Sequence, residues 1–252
     1  MFMQFKFQIG VMALVLSFFS SISFGEDKLR LYTENYPPYN MSNSGQPFAH
    51  KAEDISGLCT ELVKAILKHS KVDFSLKLRE WSAGLNRAQK RPNHAIFCTA
   101  KTEERDPYFH WIGPLTEIEW TLFAKPGSKI KLESLDDAKK YRIGGYKGDV
   151  LSDYLIEKGF DVVTIANDAL NPRKLMLDQI DLWITDGLSG PYLASESEDI
   201  EDLTKVLVFR TTPLYLAVNV ESNEKIVNEL NNAFELIQNN GEADAIRSQY
   251  IQ

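Results

Sequence analysis

The stretch TEERDPYFHWIGP, residues 102–114, sets Arg105 among Glu103, Glu104 and Asp106, just ahead of Tyr108, Phe109 and Trp111. A guanidinium presents a planar fork of donors that pairs bidentately with a carboxylate. That carboxylate is either one of the three neighbouring acids on a solvated turn or a group brought by a ligand, and spacing alone favours the neighbours. Phe109 and Trp111 alternate with His110 and read as side chains that pack into the core. Asp186 ends an apolar run, DLWITD, where an aspartate caps the next helix well. Cys59 and Cys98 are the two cysteines of the chain, either a disulfide or two buried thiols. His50, His69, His94 and His110 have no metal-ligand spacing, so no metal and no cofactor is expected. Nucleophile elbow, P-loop and dinucleotide fingerprint are all absent from the sequence.

The elements that must position these residues alternate. KLRLYT (28–33) reads as a strand stopped by the prolines of YPPY. LCTELVKAILKH (58–69) carries a helical apolar stripe, VDFSLKL (72–78) alternates as a strand, WSAGLNRAQKR (81–91) is a helix and AIFC (95–98) a buried strand. The second part continues with YRIGGY (141–146), a helix in DVLSDYLIEKG, the strand DVVTI, a helix in ALNPRKLMLDQI and the strand DLWITD (181–186). After a helix starting at GPYLASE come two strands, KVLVF and LYLAVNV. A long helix (223–239) and a shorter one in EADAIRSQYI complete the chain. Such alternation predicts an α/β protein. YPPY, TAKTEER, GYKGD and TDG all fall just past strand ends, where open α/β sheets bind ligands. Two such sheets facing each other would enclose a cleft.

The whole chain bounds the setting. Residues 1–25 read as a secretory signal peptide: Lys6, an apolar run from Ile9 to Phe19, and a small-residue exit at Ser23-Phe24-Gly25. The apolar run is shorter than the roughly 20 residues a membrane span needs. Removing it takes away a lysine and no acid, from a chain of net charge −7. An acidic protein without a basic stripe does not bind nucleic acid. In an oxidising compartment the single cysteine pair favours the bond.

Several motifs occur in order: Tyr36-Pro37-Pro38-Tyr39 after the first strand, Gly57 to Leu62, Thr102-Glu103-Glu104-Arg105, Trp111-Ile112-Gly113-Pro114-Leu115, and Leu175 to Asp186 with Gln179 in place of a glycine. Together, over nearly all of the chain after residue 25, they resemble the family 3 extracellular solute-binding proteins of bacterial ABC transporters. The resemblance implies a two-lobe type II periplasmic binding protein with a double crossover hinge. One lobe would comprise 26–117 plus 213–252, the other 118–212. It implies a monomeric, non-catalytic periplasmic protein that closes over a small polar, amino-acid-like solute and delivers it to a membrane permease. A cyclohexadienyl dehydratase-like enzyme and a ligand-sensing partner of a membrane receptor are the alternatives. In the implied site Arg105 holds a ligand α-carboxylate and Asp186 an α-ammonium. Tyr36 and Trp81 flank the ligand side chain, unless Trp81 opens its helix simply by packing on the lobe surface, with Tyr39 on the same wall or covering the sheet. Two departures bear on the ligand. Gly148-Asp149-Val150 stands where the family pattern offers hydroxyls, and Ala100 replaces another. Asp149 would then repel a carboxylate or grip a second cation, and Lys101 would add a compensating charge or stand as a solvated surface residue.

Overall fold

The computed structural model describes residues 28–251 apart from residue 199; the expected signal peptide lies outside the described residues. In chain order come β1 (Leu29–Thr33), β2 (Met41–Ser42), β3 (Ile55–Ser56), α1 (Leu58–Ser70), β4 (Phe74–Leu78), α2 (Trp81–Lys90) and β5 (His94–Ala100). β1 lies between β4 and β5, parallel to both. α1 buries Leu58, Leu62, Val63, Ile66 and Leu67, the stripe that a 3.6-residue period puts on one face. Its first amides are satisfied by the YPPY turn: Leu58 N–H donates to Pro38 O and Cys59 N–H to Tyr39 O, both at 3.0 Å. Gly57 makes that approach possible. It has φ +111°, and a Cβ there would lie 2.5 Å from Tyr39 O.

β6 (Phe109–Ala124) follows, then β7 (Ile143–Tyr146), α3 (Val150–Glu157), β8 (Val162–Ile165), α4 (Asn171–Met176), β9 (Leu182–Asp186), α5 (Ser189–Glu198), β10 (Thr204–Asn219), α6 (Glu224–Asn239) and α7 (Glu242–Arg247). β6 and β10 are each 16 residues long and pair antiparallel from Phe109↔Asn219 to Ala124↔Thr204. β5 adds to one end of β10, through Leu214 to Val218. β9 adds to the other end of β6, through Trp120 to Phe123. The result is one hydrogen-bonded order, β4-β1-β5-β10-β6-β9-β7-β8.

This corrects the expectation of two separate sheets. KVLVF and LYLAVNV are the two ends of a single strand. Pro213, which cannot donate to the ladder, sits opposite Glu117, and the register then skips Gly113 to Leu115. A proline is tolerated in such a strand because the bulge already leaves residues unpaired. The helix expected through Ile180 is shorter, ending at Met176. α6 buries Ile226, Val227, Leu230, Ala233, Phe234 and Ile237 and packs on α1, so the C-terminal stretch returns to the first half of the chain. Among the described residues no helix is long and apolar enough to cross a membrane.

Candidate functional site

A cavity of ≈ 110 Å³ lies over the middle of the two long strands, its floor formed by Ile118 of β6 and Leu214 of β10. One wall comes from β1, α2 and β5: Glu34, Tyr36, Trp81, Thr99 and Ala100, with Arg105 just beyond. The facing wall is the β7–α3 turn, from Tyr146 through Lys147, Gly148 and Asp149 to Val150. Glu34, Tyr36, Trp81 and Tyr146 also border a wider adjoining cleft of ≈ 630 Å³. The site thus stands at the carboxyl ends of β1, β5 and β7, where parallel strands leave a crevice.

β5 reaches the cavity through a bulge. Phe97 pairs with Leu216 and Thr99 with Tyr215, so Cys98 is skipped, with φ +61°. The disulfide between Cys98 and Cys59 at the start of α1 holds the bulged residue, as the oxidising setting led one to expect. A bulge bends its strand and re-aims the side chains after it; here Thr99 and Ala100 are the ones that meet the cavity.

Arg105 pairs with none of its acidic neighbours. Asp106 takes Lys101 instead, at 3.0 Å. Nη1 of Arg105 donates to Thr99 Oγ1 at 3.0 Å and to Ala100 O at 3.4 Å, and the guanidinium lies 5.3 Å over the Trp81 ring. Burial lowers its pKa, against the opposing pull of Glu104, Asp149, Glu34 and Asp153. Trp81 opens α2, which Glu80 caps by accepting from the amides of Ser82 and Ala83. Trp81 also packs with Trp111 against Phe109, Ala88 and Ile96. Its two expected roles, cavity wall and packing residue, therefore coexist.

Of the residues singled out in the sequence, Tyr36, Trp81, Arg105 and Asp149 come together on the cavity. Tyr39, Lys101 and Asp186 do not line it. Lys101 Nζ lies 5.9 Å from the centroid of the Trp111 ring and pairs with Asp106. Tyr39 is buried, stacks on Tyr36 and donates its hydroxyl to Asp186 Oδ1 at 2.8 Å. Asp186 Oδ1 also accepts from the amides of Leu188 and Ser189, and Oδ2 from that of Glu119. Burial nevertheless raises its pKa. Asp186 is thus the cap of α5 and a tie to both β6 and the YPPY turn.

Glu34 and Tyr146 were not singled out as binding residues, although both follow from the strand-end rule that picked YPPY and GYKGD. Tyr146 donates to Glu34 Oε2 at 3.3 Å across the cavity. Burial, then the charge of Asp149, pushes the Glu34 carboxyl up to about 8. Burial, then Asp168 and Asp153, pushes Asp149 up to about 7, against the amides of Val150 and Leu151. Asp168, buried behind them, accepts from Asn171, Trp183 and Thr185. Among the described residues no group of three His, Cys, Asp or Glu could hold a metal ion.

A large mixed sheet with helices on its faces and a small polar cavity over two long shared strands defines the type II periplasmic binding protein fold. A histidine kinase sensor domain with similarity to periplasmic binding proteins has it, at TM-score 0.76 and 18% identity over 89% of this chain and 96% of that one. The arginine-, lysine-, histidine-binding protein ArtJ from Geobacillus stearothermophilus is similar at 0.72 and 19%, over 89% and 95%. An ancestral amino acid-binding protein, a precursor of cyclohexadienyl dehydratase, is similar at 0.72 and 19%, over 90% and 96%. No curated protein matches the chain. By sequence, residues 29–252 match the bacterial extracellular solute-binding proteins, family 3. The chain belongs to that family.

Proposed function

We propose that the protein is an exported, non-catalytic receptor that closes over a small polar, amino-acid-like solute and hands it to a membrane ABC permease. The observation that carries this reading is Arg105. It lines the cavity, and among the described residues its guanidinium is hydrogen-bonded through Nη1 alone and neutralised by no ion pair. A guanidinium held over a tryptophan with free donors is set to receive a ligand carboxylate. We assign residues 26–117 plus 213–252 to one lobe and 118–212 to the other. The pairing of β5 with the end of β10 and the packing of α6 on α1 support that division. β6 and β10 are then the two crossovers, and closure acts by bending them near Glu117 and Pro213. Export to the periplasm agrees with the leader-like residues 1–25 and with the family.

The test is a thermal-shift screen against amino acids, amines and organic acids. A ligand at tenfold to hundredfold its dissociation constant stabilises by about 1.4–2.7 kcal/mol. Arg105→Ala should remove the shift of any carboxylate ligand, costing roughly 2–5 kcal/mol of affinity. A screen with no hit, or hits indifferent to Arg105, rejects the reading.

One observation favours a second reading. Glu34 keeps its proton near neutrality inside the cavity, as a general acid for loss of a hydroxyl must, and one structural relative is a precursor of a dehydratase. Ultraviolet absorbance on incubation with a carboxylated cyclohexadienol decides it: the hydroxyl takes a proton and leaves as water, the ring carboxylate leaves as carbon dioxide, and the ring becomes aromatic. A receptor for signalling would use the same cavity and differ only in the membrane protein it meets.

A further inference from the structure

Asp186 is the acid that the resemblance assigns to a ligand ammonium, yet its two oxygens already accept from the Tyr39 hydroxyl and three backbone amides. It does not line the cavity. Two other acids do, from opposite walls: Glu34 at the carboxyl end of β1 and Asp149 at the start of α3. Glu34 has a single hydrogen-bond donor from another side chain, Tyr146 at 3.3 Å. Asp149 makes no side-chain hydrogen bond to the first turn of α3, although the amides of Val150 and Leu151 favour its ionised form, and it has no ion pair among the described residues. No cation of the cavity is ion-paired with either acid among the described residues, although Arg105 offsets part of their charge. Glu80 is a third acid, and Arg105 directs Nη1 to Thr99 and Ala100 while lying over Trp81. Lys147 is exposed on the rim.

We propose that Glu34 and Asp149 together form the seat for a cationic group of the ligand, an ammonium or a guanidinium, while Arg105 takes its carboxylate. The proposal rests on the reading of this cavity as the solute site and names the ligand chemistry that site selects. An enclosed pair of carboxylates with few donors is costly to ionise, and a cation placed between them removes the cost. The absence of hydroxyl donors at Ala100 and Val150 fits the same balance: this cavity favours a positive group more than a wall of donors would. The groups facing Glu34 are Asp149, Glu80, Arg105 and the Tyr146 hydroxyl; those facing Asp149 are Asp168, Asp153, Glu34, Arg105 and the hydroxyls of Tyr36 and Tyr146. Burial and these like charges let the empty pair retain protons near neutral pH. Seating a cation favours the ionised pair, so binding expels a proton.

Titration calorimetry on the purified protein tests this with three probes of similar length: L-ornithine, cadaverine and glutarate. L-Ornithine, with a carboxylate and an added ammonium, should bind most tightly, cadaverine more weakly and glutarate not at all. The affinity of L-ornithine should rise by up to roughly a hundredfold between pH 6 and pH 8, as release of about one proton requires, and that proton is read from heats in two buffers of different ionisation enthalpy. Glu34→Gln and Asp149→Asn should each weaken L-ornithine by roughly tenfold to a hundredfold and flatten the pH profile. Because both variants remove a carboxylate that is costly to ionise in the cavity, their thermal midpoints at pH 8 should not fall, which separates loss of the seat from loss of the fold. Glutarate binding as tightly as L-ornithine and lost in Arg105→Ala would overturn the seat and leave the solute site standing. So would L-ornithine binding that is independent of pH and survives the Glu34→Gln, Asp149→Asn double variant. If none of the probes and nothing in the wider screen binds, the solute site is rejected and the seat with it.

Discussion

At Asp186 four donors converge on one carboxylate: a tyrosine hydroxyl, two amides of the α5 start, and the amide of Glu119 on β6. Charge-assisted bonds of this kind are stronger than neutral ones, and each donor becomes an orphan if the acceptor leaves. Asp186→Ala should therefore lower stability by roughly 2–4 kcal/mol. Tyr39→Phe, which removes one donor and leaves the carboxylate with three, should cost about 1 kcal/mol. Urea unfolding of both variants checks the order. A Tyr39→Phe loss as large as that of Asp186→Ala would mean that the hydroxyl, not the helix cap, holds this corner. Arg105 is the opposite case: a charged side chain with donors to spare, whose removal should act on ligand binding.

Among the elements, α1 carries the strongest constraints, because its first turn is fastened at two points. Gly57 lets its amides dock on the YPPY turn, and the Cys59–Cys98 bond ties it to the bulge of β5. Gly57→Ala should destabilise by roughly 2–3 kcal/mol, since the added methyl meets a backbone carbonyl and the φ is hostile to an L side chain. The disulfide closes a separation of 39 residues; in the chain-entropy model its loss costs about 4 kcal/mol. Denaturation of a Cys59→Ser, Cys98→Ser double variant measures that cost. The same variant should also loosen Thr99 and Ala100, and so weaken any ligand that the Arg105 wall holds.

For the whole molecule the two half-buried cavity acids, Glu34 and Asp149, set a pH dependence of stability. Glu34 rises from 4.5 to about 8 and Asp149 from 3.8 to about 7 on folding. Between these limits the folded state binds more protons than the unfolded one, so stability falls as pH rises through the window. The ligand-free protein should melt at a higher temperature at pH 6 than at pH 8, and Glu34→Gln should reduce the difference. A thermal midpoint that increases from pH 6 to pH 8 would contradict the burial of these carboxylates. The proposed lobes make a second expectation at this scale. A ligand that touches both walls stabilises the closed form by its differential affinity, so small-angle scattering should report a smaller radius of gyration when ligand is added.

Local rules in the sequence were enough to determine the α/β class, most strands and helices, and the neighbourhoods of the cavity. Helical stripes, the prolines of YPPY and the glycines of GYKGD act within a few residues, so they can be read from the order of side chains alone. The cysteine pair was legible for a similar reason, being a single possible partnership. What required tertiary structure was commitment. TDG was visible as a strand end, but only packing brought Tyr39 and Glu119 onto Asp186 and closed it to solvent. Lys101 and Arg105, four residues apart, could not be told apart as site residues in the sequence, because only the folded turn directs one to Asp106 and the other over Trp81. Two predicted strands became one because Thr204 to Asn219 finds β6 along its entire length, which outweighs the donor missing at Pro213. Glu34 and Asp149 are far apart in the chain, and their mutual repulsion exists only once β1 and α3 face each other across the cavity. Long-range pairing and electrostatics depend on distance in space, and the sequence specifies that distance only through the completed fold.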